Sequence, residues 1–334
     1  MKLQKDECIL VTGGAGYIGS HVVRQLREAE APVVVLDNLS TGRRDAILDA
    51  ELIVGDTSDR ELVTQLLKAH RIKAVLHFAA HTVVPESVAN PLKYYANNTC
   101  ASRHLLECCV QCGVGQFVFS STAAVYGMPD CERCTEGLPA NPINPYGHSK
   151  LMTEQMLRDV GATGALKYIV LRYFNVAGAD PGGRMGQSTP VATHLIKVAC
   201  QAALGQRESI GIFGTDYPTP DGTGVRDYIH VEDLASAHLH ALAHLQAGGD
   251  STTLNCGYGS GYSVREVLNT VEQVSSKRLN IQELPRRAGD PARIVADNQR
   301  ICELFNWRPR FNNLEVIVQH ALAWEQQLGK DSNA

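Results

Sequence analysis

The sequence predicts an α/β protein: a doubly wound parallel sheet with a smaller α/β lobe beside it. Three observations carry this. Apolar, β-rich runs alternate with amphipathic helical stretches through the first half of the chain. Those runs lack strict polar–apolar alternation, as strands covered on both faces do. A glycine-rich turn, Gly13-x2-Gly16-x2-Gly19, joins the first run to the first helical stretch, the context in which such a turn holds a dinucleotide in a Rossmann-type sheet.

The candidate strands are Cys8–Val11, Val33–Leu36, Leu52–Val54, Ala74–Phe78, Phe117–Ser120 and Tyr168–Arg172. Amphipathic stretches at Tyr17–Ala29, Asp59–Ala69 and Leu92–Cys112 read as the helices between them. After Arg172 the pattern changes. Asn175 to Gln187 is rich in Gly and Pro and reads as loop, a helix follows over about Val191 to Leu204, and Gly214 to Gly224 is polar and Pro/Gly-rich. A helix from Val231 to His244 and a strand at Thr253–Cys256 return to the sheet, and Tyr262 to about Leu328 mixes two helices with short extended pieces. The expected division is a dinucleotide domain, residues 1–175 plus about 230–258, and a lobe from about 176–229 plus 259–330. Ligands bind at the carboxyl ends of such strands, so the lobe roofs the site.

The whole chain sets bounds. Its 334 residues can bury a large core. A net charge of −4 with mixed signs carries no electrostatic footprint for nucleic acid or an anionic membrane. The first apolar run is too short for a signal segment and no stretch is long enough to span a bilayer, so a cytoplasmic location is expected. Ten cysteines without an export signal argue against a disulfide framework. Cys131-x2-Cys134 has metal-ligand spacing, and Cys108, Cys109 and Cys112 could complete a zinc site. The reading taken is that these three are small buried side chains on a helix, with no metal.

The glycines allow a tight turn and close approach of backbone to a pyrophosphate, and the helix start offers free N–H groups and a favourable dipole. Asp37 ends the second strand, eighteen residues past Gly19, where a carboxylate accepts from a ribose diol and repels a 2′-phosphate. NAD is therefore expected over NADP; Arg43 and Arg44 lie beyond the turn. Asp56 ends the next strand and reads either as a contact to the adenine amino group or as a helix cap.

The second motif is Asn144-Pro145-Tyr146-Gly147-His148-Ser149-Lys150. Asn144 can cap a helix with Pro145 in its first position, which puts Tyr146 and Lys150 on one face a turn apart. A free tyrosine has a pKa near ~10; a neighbouring ammonium and a positive nicotinamide ring favour its phenolate. Such a pair can take a hydroxyl proton as hydride leaves the same carbon. The structural alternative is a core tyrosine with Lys150 paired to Glu154 on the surface. A third hydroxyl is expected after the fifth strand, in Ser120-Ser121-Thr122-Ala123-Ala124, with Thr122 first and Ser121 second.

These residues resemble the extended short-chain dehydrogenase/reductase family, and within it the UDP-glucose 4-epimerases. The resemblance spans about residues 8–325 and is most specific at Thr12–His21, Ser120–Gly127, Leu171–Asn175 and Tyr217–Val231. It implies that Gly13, Gly16, Tyr17, Ile18, Gly19, Asp37, Asn38, Asp56, Phe78, Ala79, Ala80 and Asn97 line NAD. Tyr146, Lys150 and Thr122 would be catalytic, Lys150 and Tyr146 would also meet the nicotinamide ribose and ring, and Tyr173 would lie beside the nicotinamide. Asn175, Leu195, Arg226, Arg287 and Asp290, with Thr122 and Tyr146, would hold a UDP-sugar, the strand at Ile212–Phe213 lying near the uracil. It also implies a homodimer through the helices Leu92–Cys112 and Pro145–Val160.

Three positions depart from many members of that family. Thr82 stands where a lysine is common, Thr122 replaces a serine, and Ile294 occupies a position that tunes sugar size, between the bulky aromatic and the small residue found elsewhere. The activity implied is exchange of UDP-glucose and UDP-galactose through a 4-ketopyranose with tightly held NAD. Related UDP-sugar epimerases, acting on UDP-N-acetylhexosamines or UDP-arabinose/xylose, are the alternative. A 4,6-dehydratase needs an Asp-Glu pair where Ala123 and Ala124 stand. A non-catalytic NAD-binding regulator has no need to keep Tyr146, Lys150 and Thr122 together.

Overall fold

A computed structural model describes residues 3–189, 193–287 and 289–331. The strands are β1 Ile9–Thr12, β2 Val33–Asp37, β3 Glu51–Val54, β4 Ala74–His77, β5 Gln116–Thr122, β6 Lys167–Tyr173, β7 Asn175–Ala177, β8 Ile210–Phe213, β9 Val225–Arg226, β10 Tyr228–His230, β11 Thr252–Cys256, β12 Tyr262–Ser263, β13 Ile281–Leu284 and β14 Arg293–Ile294. The helices are α1 Tyr17–Glu28, α2 Arg60–Ala69, α3 Val84–Ala89, α4 Pro91–Tyr94, α5 Ala101–Cys112, α6 Pro145–Ala162, α7 Leu195–Ala203, α8 Val231–Gln246, α9 Val264–Ser275, α10 Gln299–Phe305 and α11 Leu314–Asp331.

Seven strands form one sheet in the order β11-β6-β5-β4-β1-β2-β3, every pairing parallel. All seven expected strands are in it. Successive residues feed opposite faces. Ile9 and Val11 pack with Val22, Leu26, Leu234 and Leu242 from α1 and α8. Leu10 packs on the other side with Val63, Leu66, Leu105 and Leu157 from α2, α5 and α6. Burial on both sides explains why the strands read as apolar runs. The order reverses at β1, between β2 and β4, which opens a crevice at their carboxyl ends.

The remaining strands form small sheets over that end: β10 with β7, β8 with β13, and β12-β9-β14. Helices α7, α9 and α11 cover them, and their apolar faces are continuous with the α1–α8 side of the large sheet. Two expectations change here. The tail holds three helices, α9, α10 and α11, where two were expected. The first residues of the expected Val191–Leu204 helix lie outside the described residues, and α7 starts at Leu195.

The expected single helix over Leu92–Cys112 is interrupted by a π-helical turn, Tyr95–Cys100. A π turn breaks the regular ladder, and side chains take over the loosened groups. The Asn98 carbonyl accepts from the hydroxyls of Ser102 and Thr153. The Asn98 side chain accepts from His81 N at 2.8 Å and donates to His81 O at 2.9 Å.

Candidate active site

The turn between β1 and α1 leaves room by having no side chains. Gly13 sits at φ +70°, and a Cβ there would stand 2.6 Å from Ala79 N. A Cβ on Gly19 would stand 2.3 Å from Gly13 O, so the helix rests directly on the turn. Gly16 is the N-cap of α1, no side chain caps it, and its first turn holds no acid. The N–H groups at Tyr17 and Ile18 therefore present the positive helix end to the crevice. The Tyr17 phenol turns toward the lobe and donates to Gly178 O at 2.6 Å. Phe78, Ala79 and Ala80, which follow β4, pack beside Gly13 across the strand-order reversal. Half-buried Asn97 stands on the π turn and donates to Asn98 Oδ1 at 2.9 Å.

Asp37 ends β2 with its carboxylate turned to the same turn, accepting from Ala15 N at 2.9 Å and Leu39 N at 2.8 Å. It thus shapes the cradle as well as lining it. Arg43 is paired with Asp45 at 3.0 and 2.5 Å. Asp56 is not a helix cap: Asp59 caps α2, accepting from Leu62 N. Asp56 instead closes a local turn with Ser58 and accepts from Asn38 Nδ2 at 2.9 Å, bridging the ends of β2 and β3. The lack of a filling side chain at the glycines, the uncapped helix start and the carboxylate on β2 together fit a dinucleotide.

Across β1 lies the second motif. Asn144 caps α6, accepting from Gly147 N at 2.9 Å, with Pro145 first in the helix. Gly147 lets α6 lie on the turn after Thr122, because a Cβ there would stand 2.8 Å from Ala124 O. The Tyr146 phenol is thereby brought to the Thr122 and Tyr173 hydroxyls. Burial pushes the Tyr146 phenol well above its ordinary value, Tyr173 adds to that, and the Thr122 hydroxyl opposes it. Thr122 also accepts from Ala124 N. Ser121 is excluded from the site, since its hydroxyl donates to buried Glu154.

Lys150 turns inward. Its Nζ donates to Ser120 O at 2.9 Å and lies 4.8 Å from the centre of the Phe119 ring. Burial lowers it to about 7, against the field of Glu154. A surface pair with Glu154 does not form, because Glu154 is buried and gripped by Arg172 through Nε at 3.0 and 3.1 Å and Nη2 at 2.6 Å. His77 links the two motifs: its Nδ1 hydrogen-bonds Thr12 at 2.6 Å and its ring stacks on Phe119.

The other expected residues lie on β7, α7, β9 and the stretch after β13. Tyr17, Asn175 and Leu195 line one cavity. Arg287 lies 3.5 Å over the Phe213 ring at the end of β8, and Asp290 N donates to Arg287 O. Arg226 ends β9 opposite Ile294 of β14.

The NAD dependent epimerase/dehydratase family model matches residues 9–257. The chain belongs to that family. Among its members, the chain is 58% identical over 321 residues to the UDP-glucose 4-epimerase of Azospirillum brasilense, covering 96% of this chain and 92% of the relative. It superposes with a TM-score of 0.94 and 38% identity on the Stenotrophomonas maltophila UDP-glucose-4-epimerase with bound NAD and formylated UDP-arabinopyranose, covering 97% and 99% of the two chains. The Campylobacter jejuni UDP-Glc/GlcNAc 4-epimerase is 47% identical with a TM-score of 0.85, covering 96% and 99%.

Two groups of residues that position this family's site in the chain escaped sequence reasoning. Arg172 and Glu154 form a buried pair under Ser121 and Tyr126; the signal was an arginine between the apolar run Ile169–Leu171 and Tyr173-Phe174. Asp227 is buried and accepts from Tyr258 N, Gly259 N and Ala296 N, tying three lobe segments together. Burial pushes it up to about 6 against those N–H groups. The cysteines with zinc-ligand spacing lie in separate clusters, Cys108 and Cys109 on α5 in the core of α2, α5 and α6 and Cys131 and Cys134 beside Ile294.

Proposed function

We propose that this protein interconverts UDP-galactose and UDP-glucose by inverting C4′ of the hexose, with residues 1–175 plus about 230–258 holding NAD and residues 176–229 plus 259–330 holding the UDP-sugar. The observation that carries the reading is the Tyr146 phenol, beside the Thr122 hydroxyl and a turn from Lys150, in the crevice that the glycine cradle opens. NAD, when bound, supplies a hydride acceptor that hands the same hydride back. Gly13, Gly16 and Gly19 admit its pyrophosphate to the α1 start, Asp37 and Asp56 meet the adenosine half, and Tyr173 flanks the nicotinamide.

Tyr146 takes the proton from the 4′-hydroxyl as C4′ is oxidised and returns it after the 4-ketopyranose has turned over. Thr122 holds the phenol and the sugar oxygen on one line. Lys150 would stand beside the nicotinamide ribose, and the positive nicotinamide ring would supply the field that burial denies the phenol. Arg226, Arg287 and Asp290 grip the UDP half, the arginines suited to a diphosphate, while the sugar is held loosely enough to rotate. Ala123 and Ala124 offer no acid or base for dehydration.

Ile294 is buried but less bulky than an aromatic ring, and this favours UDP-N-acetylhexosamines as second substrates. The exposure of Leu92 at 76% and Met152 at 44% supports a homodimer through the α4–α5 stretch and α6. No helix among the described residues is long and apolar enough to cross a membrane, and the enzyme is assigned to the cytoplasm. The test is turnover of UDP-galactose by purified protein without added NAD, with NAD released on denaturation. Turnover only with added NAD, accompanied by NADH release, identifies a dehydrogenase instead.

A further inference from the structure

Cys131 and Cys134 take no part in the chemistry above, yet they lie in the segment joining Thr122 to Tyr146. Cys134 is buried and Cys131 half-buried against the same apolar cluster, with Val125, Tyr126, Ile294 and Ala296. The two cysteines stand three residues apart in that one cluster. Cys134 is clamped through its backbone: its N–H donates to Val295 O at 2.8 Å, and its carbonyl accepts from Asp297 N and Asn255 Nδ2, each at 2.8 Å. Cys131 sits in a run of bends with exposed Glu132 and Arg133 between the pair. One thiol is therefore reachable and movable, and the other is fixed and shielded, the division of labour that a C-x-x-C pair uses in thiol–disulfide exchange.

We propose that Cys131 and Cys134 are a redox modification site: they close to an intramolecular disulfide by exchange with a low-molecular-weight disulfide, and the closure slows use of the sugar substrate. The Cys131 thiolate attacks one sulfur of the small disulfide, expels the other half as a thiolate and becomes a mixed disulfide. The Cys134 thiol then gives up its proton to solvent, attacks the Cys131 sulfur and expels the second half. Two protein thiols are oxidised and one small disulfide is reduced to two thiols. Burial, with Cys131 adjacent, pushes the Cys134 thiol up to about 12, which suits it to the second, intramolecular step rather than the first. Bond closure brings the sulfurs to about 2.05 Å. Because Cys134 is clamped, the 127–133 segment must move, and it moves against the cluster that holds Ile294. The kinetic part of the proposal rests on the epimerase reading; the thiol chemistry does not.

The experiment equilibrates the NAD-containing protein in graded mixtures of reduced and oxidised glutathione, followed by acid quench, alkylation and peptide mapping. Cleavage after Arg133 separates the two cysteines, so the disulfide reads as a cross-linked peptide pair. The expected result is that cross-link at mixtures that leave Cys100, Cys108 and Cys109 alkylatable, with a severalfold rise in KM for UDP-galactose that reverses on reduction. Cys131→Ser keeps the reduced enzyme's activity and abolishes the KM response. Full alkylation of both thiols in the most oxidising mixture, or a glutathione adduct on Cys131 that never resolves, overturns the site. A complete cross-link with unchanged KM overturns the switch while leaving the epimerase reading intact.

Discussion

The Tyr146 phenol is held by its surroundings in the wrong protonation state for a base. Burial raises it, and Lys150, one turn along the helix, is itself lowered to about 7 and turned to Ser120 O. Ionisation thus waits for positive charge from the cofactor. Tyr146→Phe should lower kcat by about 10²–10⁴-fold, the usual worth of a positioned acid–base group, while NAD stays bound; near-normal turnover by that variant removes Tyr146 from the mechanism. Lys150 also leaves a mark on stability. Its folded value lies below its unfolded one, so the unfolded chain binds more protons between about 7 and 10.5. Stability of the NAD-free protein should then rise with pH across that window and lose the contribution as pH falls through about 7. Denaturant titrations of wild type and Lys150→Met at several pH values check this, and the variant should show a flatter profile.

At the scale of elements, two helix starts do most of the positioning. The start of α1 lies on Gly13 so closely that Gly19→Ala must push the helix off the turn. That variant should purify with much less NAD and unfold at a lower temperature; full retention of NAD by absorbance after denaturation argues against the cradle. The start of α6 depends on Asn144, whose side chain satisfies Gly147 N. Asn144→Ala should cost about 1 kcal/mol in a denaturant midpoint and lower kcat more than it changes KM, since Tyr146 stands two residues on. The π turn at Tyr95–Cys100 is a third device, through which Asn98 pins the backbone of His81 directly after Phe78–Ala80.

Across the whole molecule, the lobe is joined to the sheet by a shared apolar core and by buried ionic contacts. Arg24 of α1, which pairs with Glu232 of α8, also lies 3.9 Å from buried Asp180 in the segment after β7. Charges removed from water in this way are costly to leave unpaired, so lobe and sheet are expected to unfold as one unit. The exposed apolar stripe with Leu92 and Met152 belongs to the same scale. If the proposed homodimer uses that stripe, Leu92→Glu should shift the protein to a monomer in sedimentation velocity, while a wild type that already sediments as a monomer rejects the proposed interface.

Much of this was legible in the chain. The inner strands of the large sheet appeared as apolar runs, because burial on both faces writes itself into composition, whereas the edge strand β3 is half-exposed. The glycines, Asp37, Asn144 and Pro145 were legible because backbone geometry at a turn or cap admits few residue types. Sequence could only rank Thr122 ahead of Ser121; that the Ser121 hydroxyl donates to Glu154 is a fact of packing. What the sequence determined by itself is the local set: strands, helix starts, the glycine turn and the residue types able to move a proton. What tertiary structure decided is every pairing between segments far apart in the chain: Glu154 with Arg172, Asp227 with three backbone N–H groups, Asn98 with His81, and Lys150 facing inward. Local patterns report how a residue sits on its own element, whereas burial and charge depend on which elements meet, and no periodicity encodes that.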